Sequence, residues 1–244
     1  LLAHLPACRF GAAGLTKTPM PLLVIDAAAN LCSAAVADES GGVIAARSED
    51  IGKGHAEALM PAVDAVMREA GIGYGDLTGL LVSVGPGSFT GIRIGVAAAR
   101  GFALALGIPA QGDTTLAALA HHVRAEAREA PVLVAIDAKA GEAHVAAYGP
   151  SGEKIHAPAV MALGDAAALI EPGMLVAGSA APLLLDLAPK AGARTGPTLA
   201  TAPIAAFCAL AAQPSRLLEP KPLYLRGSGA KPPGRGAILT HRAA

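Results

Sequence analysis

Aromatic residues make up 3% of this 244-residue chain, and tryptophan is absent. A core must therefore be built from Ala, Val, Leu and Ile, within a chain that is 53% hydrophobic and 16% charged. Such a composition excludes intrinsic disorder over most of the length. Cysteine is equally sparse. Cys8, Cys32 and Cys208 are scattered and odd in number, with no CxxC or Cys/His zinc spacing. This excludes a disulfide framework and fits a reducing compartment, so a cytoplasmic location is expected. Charge of either sign is not in excess: 19 basic and 19 acidic residues give a net charge of +0. No global field draws the chain to nucleic acid, and any such contact needs a partner or a local patch. No apolar run reads as membrane-spanning, so no membrane association is expected. The length suffices for one large or two modest domains.

The two ends differ from the rest. Residues 1–19 read as a non-native or disordered extension, because Met20 stands directly before the first apolar strand. Leu5-Pro-Ala-Cys8 lacks the charged and apolar regions of an export signal. Residues 227–244 are rich in Gly, Pro and basic side chains, and a disordered basic tail is expected there.

Between these ends, strands are expected at Leu22–Asp26, Ser33–Ala37, Val43–Ser48 and Leu80–Val84. Helices are expected at His55–Ala70, closed by Gly71, and at Gly91–Leu106, closed by Gly107. A second series begins with a helix at Thr115–Glu129 and strands at Val132–Asp137, Ala143–Tyr148 and Lys154–Ala157. Leu23-Val-Ile-Asp-Ala27 and Val134-Ala-Ile-Asp-Ala138 each end an apolar run in Asp and precede a hairpin. This weak repeat predicts a duplicated α/β architecture, with halves at 20–114 and 115–226 facing a cleft.

The most informative stretch is Gly85-Pro-Gly-Ser-Phe-Thr-Gly-Ile-Arg-Ile-Gly95. A strand, a Gly-rich turn and a helix N-terminus in this order can present backbone N–H groups to an anion. Thr90 is placed as the N-cap. Asp26, Gly87, Ser88, Thr90 and Asp137 are the candidates for a residual anion or nucleotide site. Against nucleotide chemistry, the P-loop lysine is missing, and Ala27, Ala28 and Ala29 follow Asp26 where hydroxyls could bind phosphate. Asp26 and Asp137 then read as turn-capping carboxylates. His121 and His122 are adjacent, so they diverge by about 100° around a helix, and no metal site is expected. His55 reads as a helix-start residue. Gly91, Gly95 and Ala99 recur every four residues, a small-residue stripe suited to close helix packing.

Asp26 after an apolar strand, Gly85–Gly95, Asp137-Ala-Lys-Ala-Gly-Glu142 and Pro222-Leu-Tyr-Leu-Arg226 occur in that order. Together they resemble the TsaB family, over roughly residues 20–226. The resemblance implies a duplicated ribonuclease-H-like fold of the actin-like and sugar-kinase-like kind. It implies a non-catalytic dimerisation subunit in formation of tRNA N6-threonylcarbamoyladenosine. The implied partners are a TsaD-like catalytic paralogue, a TsaE-like ATPase, and tRNA through the complex. A homodimer is expected to form when the paralogue is absent. No tightly bound cofactor is implied: ATP and metal belong to the partner subunits, with a nucleotide at a subunit junction as the remaining option. The implied partner interface is a helical face carrying Leu59, Val63, Met67, Gly91, Arg93, Gly95, Ala98, Ala99 and Phe102. A free-standing actin-like phosphotransferase and a glycoprotease-like metallopeptidase are the alternatives.

Overall fold

The computed structural model describes residues 20–127, 129–213 and 218–225. The expectations for the 1–19 extension, the 227–244 tail, Cys8 and Arg226 lie outside these described residues. Strands β1 (Leu22–Asp26), β2 (Leu31–Ala37) and β3 (Val43–Asp50) lead into helix α1 (His55–Ala70). Then come β4 (Gly79–Ser83), α2 (Phe89–Leu106) and β5 (Ala110–Asp113). Helix α3 (Thr115–Ala127) leads to a second series: β6 (Val132–Lys139), β7 (Glu142–Tyr148), β8 (Lys154–Ala162), α4 (Leu163–Ala167), β9 (Leu175–Ala177), α5 (Ala181–Leu187), β10 (Arg194–Thr195) and α6 (Ile204–Ala211).

The two series build the same sheet twice. The first has the order β3-β2-β1-β4-β5, the second β8-β7-β6-β9-β10. In each, the first three strands form an antiparallel meander and the last two run parallel to the first strand. This is the ribonuclease-H-like topology in duplicate: the repeat led us to expect the duplication, and the resemblance implied the ribonuclease-H-like kind.

Alternation along the strands sets the layers. In β1, Leu23 and Ile25 face α1 and α2, whereas Val24 faces a cluster shared with α3 and α6. In β6, Val132, Val134 and Ile136 join that shared cluster, while Leu133 and Ala135 face α4 and α5. Helices α3 and α6 therefore lie between the two sheets. Leu116, Leu119 and Val123 of α3 and Phe207 of α6 are fully buried there. Burial on several sides explains why α3 lacks a clear polar face.

Several boundaries differ from expectation. β5, at Ala110–Asp113, was not among the expected strands; its register is set by pairing with Leu80–Ser83. β6 continues two residues past Asp137, through a bulge. α2 begins at Phe89, and its N-cap is Ser88, whose side chain accepts from the Gly91 N–H at 3.2 Å. Thr90, the expected cap, lies inside the first turn and is exposed. α2 is also, by length and composition, able to cross a membrane, which the sequence reading did not anticipate. Here it is the crossover between adjacent parallel strands β4 and β5.

Candidate functional site

The β1–β2 turn sits beneath the start of α2. Asp26 ends β1 with its side chain 1% exposed. Its carboxylate accepts from the Ala28 N–H at 3.0 Å, from the Ser83 hydroxyl, and from the Thr201 hydroxyl at 3.1 Å. Burial pushes its pKa up from the usual carboxylate value, and these hydrogen bonds and nearby His55 oppose that rise. Thr201 belongs to the second half, so Asp26 ties the halves together.

The Gly-rich loop is similarly committed. Ser88 N–H donates to Ala28 O at 2.6 Å, and Leu223 N–H to Val84 O at 2.8 Å. A methyl group at Gly87 would collide with Ala28 O, and one at Gly91 with Ala27 O. These two glycines let the α2 N-terminus close on backbone carbonyls of its own chain. The Ser88 N–H is bonded to Ala28 O, and the Gly91 N–H to the Ser88 hydroxyl, at the N-terminus of the helix. Ala27 and Ala28 are buried under it, and larger residues would hold the helix away. His55 completes the closure: its Nε2–H donates to Ala29 O at 2.9 Å.

Asp137 is in a different setting. It accepts from the Lys139 N–H and ammonium, both at 2.9 Å. Those bonds hold its carboxyl below the usual range. The fold does not bring it into the Asp26 network. His121 is half-buried and His122 exposed, so the pair diverges as expected. Among the described residues, no group of three His, Cys, Asp or Glu side chains is placed to hold a metal ion.

The expected interface residues divide into two groups. Leu59, Val63, Met67, Gly91, Gly95 and Ala99 are buried in this chain's own core. Gly95 faces Ile25, Ala27 and Val82 of the sheet beneath it. The small-residue stripe therefore serves helix-on-sheet packing, and these six are enclosed within the chain rather than presented on its surface. Arg93 is exposed, and Ala98 and Phe102 are half-buried. Around them runs an outward row that periodicity did not single out: Phe89, Arg93, Ala97, Arg100 and Leu104, with Leu104 87% exposed. At its start the Arg93 guanidinium lies 3.6 Å from the Phe89 ring centroid, and its Nε–H donates to Tyr224 Oη at 2.9 Å. Phe89 and Tyr224 rings pack at 5.7 Å. Tyr224 reaches this place because residues 218–225 run beside β5 and the Gly loop. The rarity of aromatics was the signal available for both residues, and spacing alone gave no reason to join them.

Residues 27–182 match the family described as TsaD, tRNA N6-adenosine threonylcarbamoyltransferase. The chain belongs to this family. Within it, the chain is similar to proteins named TsaB, tRNA threonylcarbamoyladenosine biosynthesis proteins, as the ordered motifs implied. It is 29% identical to that of Escherichia coli K12 over 129 residues, 53% of this chain and 55% of the relative. It is 36% identical to that of Buchnera aphidicola over 127 residues, 52% of this chain and 60% of the relative. The matched region thus spans little more than half the length of these curated relatives. Among solved structures, a Pseudomonas aeruginosa protein described as similar to the peptidase YeaZ aligns with TM-score 0.71 and 26% identity, over 84% of this chain and 99% of that one. A structure of YeaZ from the same organism gives TM-score 0.71 and 25% identity, with the same coverage.

Proposed function

We propose that this chain is a non-catalytic partner subunit in the formation of tRNA N6-threonylcarbamoyladenosine. Its work is to dock a TsaD-like catalytic paralogue, with a TsaE-like ATPase and tRNA engaged through the complex. The observation that carries this reading is the closed turn: Asp26 is buried in an internal hydrogen-bond network, and Ser88 N–H is bonded to Ala28 O. A loop so occupied has little to offer a phosphate.

What remains available is the outer face of α1 and α2. Leu104 and Met60 are exposed there, with Ala97 between charged Arg93 and Arg100 and Gly101 just beyond. A helix face of apolar and small residues interspersed with two arginines suits helix-on-helix docking. A second copy of the chain would use the same face when the paralogue is missing. The closed turn also weighs against the free-standing phosphotransferase.

The test is reconstitution of tRNA threonylcarbamoylation with purified TsaD, TsaE and the adenylate-forming enzyme, with and without this chain. Modification only when the chain is present, and none from the chain alone, is expected. Equal modification without it would overturn the proposal.

A further inference from the structure

The start of α2 carries a cluster that the closed turn beneath it does not use. Phe89 is 56% exposed and Tyr224 52%, in a chain with 4 Phe, 3 Tyr and 0 Trp. Scarce aromatics are thus kept at the surface, and two of them are placed together there. The Phe89 and Tyr224 rings pack at 5.7 Å, and the Arg93 guanidinium lies 3.6 Å from the Phe89 centroid. Arg93 Nε–H donates to Tyr224 Oη at 2.9 Å, and its terminal nitrogens have no hydrogen-bond partner among the described residues. The segment that brings Tyr224 here is pinned at both ends. Leu218 exchanges two backbone hydrogen bonds of 2.8 Å with Gly112, and Leu223 N–H donates to Val84 O at 2.8 Å. Gly112 keeps the room for it, since a methyl group there would come within 3.0 Å of Glu219 O.

Charge is the second observation. The chain is neutral as a whole, but this corner is not. α2 carries Arg93 and Arg100 and no acidic residue. None of the 19 acidic residues lies beyond Glu219, which is already paired with Lys221 at 2.7 Å. Arg226 stands two residues beyond Tyr224 in the chain, and Lys231, Arg235 and Arg242 follow it.

An apolar partner would leave these cations unanswered. An acidic protein surface would answer them and gain little from two open rings. A ligand that is both polyanionic and rich in flat π-surfaces uses both features, and unpaired RNA is such a ligand. We infer that the Phe89–Arg93–Tyr224 cluster is a stacking platform for a single-stranded stretch of RNA. Bases lie on Phe89 and Tyr224, and phosphates on Arg93, Arg100 and the basic stretch from Arg226 onward. That the strand is RNA rests on the proposed role in tRNA modification, whereas the stacking and the charge do not. Leu104 is 15 residues farther along α2, about 22 Å away, which leaves that end of the helix to a protein partner.

The experiment is titration of a fluorescein-labelled, unpaired 12-nucleotide RNA with the full chain, read by anisotropy from about 50 to 200 mM salt. A Kd on the order of 10 µM is expected at the lower salt, with log K falling by about 3 per decade of salt, as for about four phosphates. Phe89→Ala and Tyr224→Ala should each weaken binding about tenfold. Tyr224→Phe keeps the ring and should bind like the parent chain. Arg226→Glu, Lys231→Glu and Arg235→Glu together should make the salt slope shallower by about 2. Leu104→Glu should bind normally, and circular dichroism checks that every variant is folded. No anisotropy change at about 100 µM chain overturns the inference. Binding that Phe89→Ala and Tyr224→Ala leave intact also overturns it, for a charged stretch would then be holding any polyanion. If those variants lose affinity for TsaD but not for RNA, the cluster belongs to protein docking and the inference falls. The titration uses this chain alone and tRNA modification uses the assembled complex, so either reading can fail without the other.

Discussion

Asp26 and Asp137 end the same apolar run in the two halves, on the first strand of identically ordered sheets, yet their surroundings are opposite. Asp26 is enclosed, its carboxyl raised by burial and held by two hydroxyls and a backbone N–H. Asp137 is partly exposed, its carboxyl lowered by Lys139. The helices beside them diverge too. α1 and α2 have 16 and 18 residues, while α4 and α5 at the corresponding places have 5 and 7. The first half has closed its turn beneath a long helix and presents that helix outward. The comparison teaches that strand order fixes where a carboxylate sits, whereas the loops closing over it decide what it can do.

The comparison breaks most sharply at the glycines. Gly91→Ala should destabilise the fold by about 3 kcal/mol or more, because the new methyl meets the Ala27 carbonyl. Gly95→Ala meets only side-chain carbons at 3.5 Å or beyond, and should be neutral or stabilising by up to about 1 kcal/mol. Urea denaturation of both variants checks this. Equal losses would mean that the carbonyl contact is not what requires glycine.

Next in size, Asp26→Ala should cost about 2 to 3 kcal/mol, since it strands the Ser83 and Thr201 hydroxyls and the Ala28 N–H. Asp137→Ala should leave the urea midpoint nearly unchanged. On the outer face, Leu104→Glu should weaken binding to a TsaD-like partner about thirtyfold, with unaltered Tm. Leu187→Glu, an equally apolar change on α5, should leave that affinity intact, and size-exclusion chromatography of mixtures distinguishes them.

The smallest effect is the dependence on pH. Asp26 holds its proton more tightly in the native chain than in the unfolded one. Its contribution to stability is therefore fullest below the unfolded value and declines as pH rises through the raised native value. Asp137 runs the other way: its contribution is present above the unfolded value and lost as pH falls through the lowered native one. Asp26→Asn should accordingly gain on the parent chain as pH rises above the unfolded carboxylate value of about 4, while Asp137→Asn should gain on it below about pH 4. Urea midpoints across pH would show both slopes.

The duplication was legible because two apolar runs ending in Asp precede hairpins at similar distances. The bounds of α1 were legible from its apolar stripe and from Gly71. β10, at Arg194–Thr195, was not foreseen, for it is short, exposed and defined by pairing with β9. The small-residue stripe of α2 was seen, but its direction was not. Spacing shows that Gly91, Gly95 and Ala99 share a face, and only the sheet beneath shows that the face points inward. Phe89, Arg93 and Tyr224 were invisible as a unit because 131 residues separate the hydrogen-bonded Arg93 and Tyr224.

The helices lying between the sheets have a consequence for motion. α6 packs on β1 and β2 of the first half, and its Phe207 shares one cluster with Val24 and Leu81 on one side and Val134 and Leu175 on the other. To swing the two sheets apart like jaws, the molecule would have to wet this cluster and break the Thr201–Asp26 bond. The chain should therefore melt as a single cooperative unit, and the slowest amide hydrogens of β1 and α6 should exchange together.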